Sequence, residues 1–244
     1  MKMRLDKLLV EKGLAETRSK ALGLIMAGQV LVDGKAITKA GTAIENDSPV
    51  SIKPYNTFVG RGALKLNAAL DAFSVDVKGM VALDVGSSTG GFTDVMLKRG
   101  AKKVYAVDVG HGQLHWRLRT DPRVVCLEGV NARMIGREHI PEPCDMATFD
   151  VSFISLRLVI PPVLELLKSE AHIIALIKPQ FEAGRLQVGR GGVVRDLQVH
   201  ESVVKDMAAF LEDCALQVSG VIPSPVKGAK GNQEYLIHAM RNAL

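Results

Sequence analysis

The sequence predicts a Rossmann-like α/β domain, with a mostly parallel sheet and an antiparallel edge strand, preceded by a small α+β domain. Three observations carry this. Val81-Ala-Leu-Asp-Val85 is a short apolar run of the kind that makes a buried parallel strand; it breaks at Gly86 into a loop of small residues, and helical spacing resumes at Phe92 and ends on Gly100. Further apolar runs at 103–108, 124–128, 145–150 and 172–178 recur at the spacing of strand–helix units. The first 58 residues read differently, as two short amphipathic helices followed by strands with an Asp33-Gly34 turn.

Residues 4–12 put Leu5, Leu8 and Leu9 on one face of a helix closed by Gly13. Thr17 is the N-cap of a second helix whose Ala21, Leu24 and Ile25 face inward. Arg18 and Lys20 fall in its first turn, where basic residues oppose the helix dipole, so their use lies elsewhere. Val30–Ile37 and Val50–Lys53 read as strands. Residues 1–59 hold nine Lys/Arg against six Asp/Glu, so a quarter of the chain carries over half of its net charge of +5. Pro54 to Phe58 reads as a linker, giving domains at 1–58 and 59–244.

In the second domain, Leu64, Leu66, Ala68, Ala69 and Phe73 outline a helix ahead of the first strand. The loop Gly86, Ser87, Ser88, Thr89, Gly90, Gly91, Phe92 has spacing Gly-x3-Gly-Gly, not the G-x-G-x-x-G that cradles a pyrophosphate. Asp84, two residues before it, would repel a pyrophosphate but suits a cationic ligand with an amino group, which points to S-adenosylmethionine. Asp108, followed by Val109, closes the second strand, where an acid can take a ribose diol. Glu128 and Asn131 at the third strand end can edge an adenine. The fourth strand finishes on Asp150 and leads to a helix at 159–167. The fifth, His172–Lys178, closes on a lysine that needs a polar cavity for its head. Residues 180–195 form a loop whose Arg185, Arg190 and Arg195 suit phosphates, but it is no P-loop. A helix at 199–211, a strand at 216–222, a basic turn at 224–234 and a strand at 235–240, hairpin-paired to the one before it, complete the chain.

At 244 residues and 47% apolar composition the chain can bury a substantial core, and a pI near 9.1 favours anionic partners. Cys126, Cys144 and Cys214 have no regular spacing, so neither a disulfide framework nor a zinc set is expected, and a cytoplasmic location is. No apolar run is long enough for a membrane span, and the N-terminal residues lack a signal-peptide core. His111-x3-His115 has helical ligand spacing without a third ligand, so no metal is expected. Trp116 reads as packing.

The pattern R-L-D-K-L-L…G-L-A-x-x-R-S-x-A…G-x-V-x-V-D-G resembles the S-four-like RNA-binding module, which implies that Arg4, Lys7, Arg18 and Lys20 lie on an RNA backbone. The remaining motifs, G-R-G-x-x-K-L, D-V-G-x-x-T-G-G-F-T, F-D-V-S-F-I, I-K-P-Q-F-E-A-G-R and G-N-x-E-Y, resemble the TlyA (haemolysin A) family, whose catalytic domain is similar to FtsJ-type enzymes. That resemblance covers essentially the whole chain and implies ribose 2′-O-methylation of ribosomal RNA by a monomer acting on ribosomal subunits, with a cytidine as the acceptor in small-subunit RNA, large-subunit RNA or both. It implies a Lys65–Asp150–Lys178–Glu234 set as the catalytic residues; Arg61, Arg185 and Arg190 are expected as further RNA contacts. Val130 departs from the family's threonine at that position. The chemistry agrees: a ribose hydroxyl needs a base, and a lysine becomes one when burial and a second cation lower its pKa. Lys178 is then the base, Lys65 the companion cation, and Asp150 and Glu234 hold the lysines and anchor the methionine ammonium or the hydroxyl. Base-amine methylation would want an Asn/Asp-Pro-Pro-aromatic run where Asp-Val-Ser-Phe stands, and Cys144 lies at the wrong end of its strand for carbon methylation. The alternatives are a cytolysin, which the family label suggests, and a catalytically silent RNA-binding protein.

Overall fold

The computed structural model describes residues 2–26, 28–52 and 58–242, apart from the side chain of Arg185; most of the expected linker lies outside them. The chain divides into two compact units, Met1–Thr57 and Phe58–Leu244.

In the first unit, strand β1 (Lys2–Arg4) runs into helices α1 (Leu5–Glu11) and α2 (Arg18–Met26), followed by β2 (Val30–Val32), β3 (Lys35–Ala36), β4 (Ala43–Glu45) and β5 (Val50–Ile52). β2 lies between β3 and β5, and β1 pairs antiparallel with β4. Three residues are too few to show a strand's alternation, which is why β1 escapes the sequence reading. The Thr17 hydroxyl accepts from the Lys20 amide at 3.2 Å, as expected of an N-cap. Leu5, Leu9, Ala21, Ile25 and Val30 form the core, with Leu24 packed at its margin. One charge is buried with them. Asp6 accepts from Arg4 (3.0 and 3.1 Å) and from Arg18 (2.8 Å), and those guanidiniums hold its carboxyl far below the usual carboxylate range.

The second unit begins with α3 (Gly62–Ala72) and then alternates β6 (Val81–Val85), α4 (Gly91–Lys98), β7 (Lys103–Asp108), α5 (Trp116–Arg119), β8 (Val124–Glu128), β9 (Cys144–Phe149), α6 (Leu156–Leu164) and β10 (Leu167–Ile177). It closes with α7 (Pro179–Glu182), α8 (Leu197–Asp213), β11 (Leu216–Pro223) and β12 (Tyr235–Arg241). The seven strands lie in the order β11-β12-β10-β9-β6-β7-β8. β6 to β10 are mutually parallel, and the antiparallel margin is made by β12, inserted between β10 and β11. The order reverses between β6 and β9, so the ends of those strands open a crevice. Apolar clusters cover both faces of the sheet, which is why its central strands read as continuous apolar runs.

Three local readings change. α6 starts at Leu156 rather than near Val159, because Ser155 caps it and the Glu182 carboxylate accepts from the Leu156 amide at 2.8 Å. α3 is rotated from its apolar outline: Leu64 is 41% exposed while Lys65 turns inward at 8%. Trp116, expected to pack, is 68% exposed and stacks only on His115, and His111 and His115 precede α5 rather than sharing a helix.

His238 of β12 is stacked between Phe73 and His172, and its Nε2 lies 3.0 Å from His172 Nδ1. Burial, then the neighbouring His172, lowers its pKa to about 4. The unfolded chain therefore binds a proton near pH 6.5 that the folded chain refuses, so stability is complete above that pH and falls as pH drops toward 4. Chemical denaturation of wild type against His238→Gln across this window is expected to show this contribution, of order 2–3 kcal/mol, as a stability difference that moves against the wild type as pH falls.

Candidate active site

Two cavities meet above the carboxyl ends of the strands. One, of about 480 Å³, runs from Gly86 and Ser88 past Asp108 and Val109 to Val130 and Asn131. The other, of about 550 Å³, holds Lys65, Lys178 and Glu234 together with Gln180, Phe181 and the turn at Lys227–Ala229. Asp150, Ser152 and Phe153 belong to both.

Asp84 is wholly buried beneath the glycine loop rather than open to either cavity. One oxygen accepts from the Thr93 amide (2.9 Å) and hydroxyl (2.6 Å), the other from the Thr148 hydroxyl (3.1 Å). This corrects the reading of a carboxylate facing the ligand: Asp84 fixes the start of α4 and joins it to β9. Thr93 N–H is thereby committed inward and Asp94 N–H goes to Gly90, so these helix-start donors do not face the cleft. Burial pushes the Asp84 carboxyl up to about 6, against the hydrogen bonds from Thr93 and Thr148.

The glycines answer first to protein neighbours. Gly86 has φ +84°, and a Cβ there would lie 2.8 Å from the Asp150 carbonyl oxygen. Gly90 packs on Leu114 and Leu118 and is turned from both cavities, whereas Gly91 meets the start of α3 and, with Ser87, Thr89 and Phe92, lines the larger one.

Asp108 accepts from the Ser88 and Gly110 amides, both at 2.8 Å, and keeps its place at the cleft. Asn131 lines it too, while its oxygen accepts from the Arg133 amide. Glu128 does not line it. Its carboxylate is turned to the Gln113 amide and to Arg119, and its pKa falls to about 2, chiefly through the Gly112 amide. The expected adenine contact is thus replaced by a brace for the 110–119 loop.

The four ionisable residues come together from α3, the end of β9, the end of β10 and the β11–β12 loop. Lys178 Nζ is 2.6 Å from Asp150 Oδ1, and Lys65 Nζ is 3.9 Å from Oδ2 of the same carboxylate. Lys65 is held most closely by Glu234, at 2.6 Å. Lys178 also donates to the Ser152 hydroxyl at 2.9 Å, a partner that no spacing in the sequence signals. Phe153, with φ +65° and 91% exposure, lies against Phe181 at 5.1 Å and was equally illegible. Arg61 lines the larger cavity, and Arg190 and Arg195 are exposed; the Arg185 side chain lies outside the described residues.

The chain is similar to known proteins. Residues 58–241 match the family described as FtsJ-like methyltransferase, and residues 3–47 match the S4 domain. The chain belongs to the FtsJ-like methyltransferases. It is 45% identical over 236 residues to the 16S/23S rRNA (cytidine-2'-O)-methyltransferase TlyA of Mycobacterium tuberculosis, covering 96% of this chain and 88% of that one. It is 41% identical to Hemolysin A of Brachyspira hyodysenteriae, covering 97% and 99%. A solved structure described as a hemolysin, from Streptococcus thermophilus, superposes with a TM-score of 0.76 at 43% identity, covering 99% of this chain and 89% of that one. The protein is therefore a methyltransferase whose methyl donor is S-adenosylmethionine. The smaller cavity fits that group: Asp108 retains lone pairs for a diol after binding two amides, and Val109, Val130 and Ile154 are apolar walls for a flat base.

Two outcomes follow. The raised Asp84 pKa means that its contribution to stability is complete below about pH 4 and is lost as pH rises through about 6, a loss of about 3 kcal/mol. Because His238 acts in the opposite sense over the same window, the loss is read as the stability difference between wild type and Asp84→Asn from pH 4 to 7, which should move against the wild type as pH rises. Gly86→Ala should lower the melting temperature by several degrees and abolish cofactor uptake in calorimetry, because its Cβ meets the Asp150 backbone.

Proposed function

We propose that this FtsJ-like methyltransferase transfers a methyl group to a ribose 2′-hydroxyl of ribosomal RNA, a cytidine of either subunit being the acceptor. The observation that carries the reading is the single Asp150 carboxylate holding two lysines in the wall shared by the two cavities. The near-full-length likeness to a protein named for cytidine 2′-O-methylation supports it.

S-adenosylmethionine supplies a methyl group activated by a sulfonium. Asp108, Asn131, Gly86 and Ser88 would hold it, with the rest of the 86–92 loop and Asp84 as their support from beneath. Lys178, in its uncharged form, takes the proton of the acceptor hydroxyl onto Nζ, while Asp150 and Ser152 fix that nitrogen in the cleft. Lys65, clamped between Glu234 and Asp150, is the companion cation that orients the acceptor. Positions 1–58 serve as the RNA-binding domain and 59–244 as the catalytic one. Arg4, Arg18, Lys7 and Lys20 contact the phosphate backbone, and in the free protein the first two are held by Asp6 while Lys20 is paired with Glu16. Arg61, at the larger cavity, and Arg190 add phosphate contacts of the catalytic domain, with Arg185 on the same loop as Arg190. The protein acts as a cytoplasmic monomer. Among the described residues no helix is long and apolar enough to cross a membrane, and no observation favours the haemolysin names over methylation.

Mapping 2′-O-methyl sites in rRNA from cells with and without the protein tests the reaction, and a map unchanged by its loss rejects it. Lys178→Ala should bind S-adenosylmethionine within a few-fold of wild type but lose at least ~10²-fold in methyl transfer. Undiminished transfer would remove Lys178 as the base.

A further inference from the structure

Gln180 stands two residues after Lys178, on the first turn of α7. The turn is held rigidly: Pro179 begins it, and Glu182 closes it by accepting from the Ser155 hydroxyl (2.6 Å) and the Leu156 amide (2.8 Å). Gln180 lines the larger cavity beside Lys178 and Phe181. Its Oε1 is buried and has no hydrogen-bond partner. Among the described residues only Asn46 Oδ1 and His238 Nδ1 share that condition, and neither residue lines a cavity of the active site. An unmet buried carbonyl costs about 1–3 kcal/mol, so its persistence at a cleft asks what ligand supplies the donor.

The cofactor does not, since Gln180 is absent from the wall of the smaller cavity. Within an RNA chain the phosphates and the esterified 3′ and 5′ oxygens only accept. The acceptor's 2′-hydroxyl proton goes to Lys178. The donors that remain are the 2′-hydroxyls of flanking riboses and the N–H groups of the base, and the phenyl rings of Phe153 and Phe181 make the same wall apolar, which favours the base. We propose that Gln180 reads the Watson–Crick edge of the acceptor nucleotide, Oε1 accepting from the exocyclic amine of cytosine and Nε2 donating to ring N3. Because the terminal amide torsion is soft, a small rotation opens the carbonyl to the base while the amide keeps its orientation against the wall. Uracil presents the inverse pattern, a carbonyl where cytosine has the amine and an N–H at N3. Pairing with it would reverse the amide and leave the buried position without its partner. This inference rests on the proposed ribose methylation and names the residue that selects the base.

The test uses full-length protein and ribosomal subunits whose mapped target is either the native cytidine or uridine introduced through the rRNA gene, with labelled methyl transfer measured on each. Wild type should favour cytidine by roughly 100-fold, and Gln180→Met should narrow the ratio below about 10-fold, as loss of one bidentate contact predicts. Gln180→Glu, with two acceptors and no donor, meets one donor and one acceptor on either base and should likewise narrow the ratio. Because Gln180→Met removes an unpaired carbonyl, it should melt no lower than wild type and take up S-adenosylmethionine equally. A cytidine-to-uridine ratio unchanged in Gln180→Met overturns the inference, whatever its melting temperature. Absence of transfer by wild type to either particle instead removes the proposed reaction on which the inference stands.

Discussion

The catalytic end of this molecule depends on one carboxylate, Asp150, binding Lys178 through one oxygen and facing Lys65 through the other. With Glu234 on the far side of Lys65, two lysines and two carboxyl groups share a wall where their side chains are between 3 and 21% exposed. Charges at that depth persist only when paired, and removal of any one would strand its partner. The cluster therefore imposes itself on the backbone around it. Gly86 must lack a side chain because the Asp150 carbonyl stands against it, and a Cβ on Gly228 would overlap the Glu234 carboxylate. Glycines that look like concessions to a ligand are here concessions to the protein's own acids.

A second acid works from beneath. Asp84 spends both oxygens on Thr93 and Thr148, so the loop above it is held from below while its upper surface stays free for the cofactor. That loop includes Ser88 at φ +46°, and the loop after β9 includes Phe153 at φ +65°. Two non-glycine residues in the left-handed region flank the same clefts, and such strain persists where surrounding contacts over-determine it. For Ser88 the contact is its amide hydrogen bond to Asp108.

The N-terminal unit repeats the device in miniature. Asp6, buried at the start of α1, orients Arg4 and Arg18 from below while leaving each guanidinium about half exposed. Arginines so held lose less side-chain freedom on meeting a phosphate than unrestrained ones would. An acid at the root of two cations thus gives an ordered cationic surface rather than a diffuse basic face.

The amino-acid pattern alone determined the strand–loop–helix at 81–98, the parallel strands after it, the closing hairpin and the order of Lys65, Asp150, Lys178 and Glu234, because apolar runs, glycine breaks and charged strand ends are local properties. Tertiary structure alone decided which oxygens meet which nitrogens. It turned Lys65 inward and Leu64 outward on a helix whose composition allowed either, sank Asp84 below the cleft, drew Glu128 off to Arg119, and brought Ser152 to Lys178. Each of those outcomes turns on which distant element covers a side chain and which partner can satisfy a buried charge, and that information is shared between segments tens to hundreds of residues apart rather than held in any one of them.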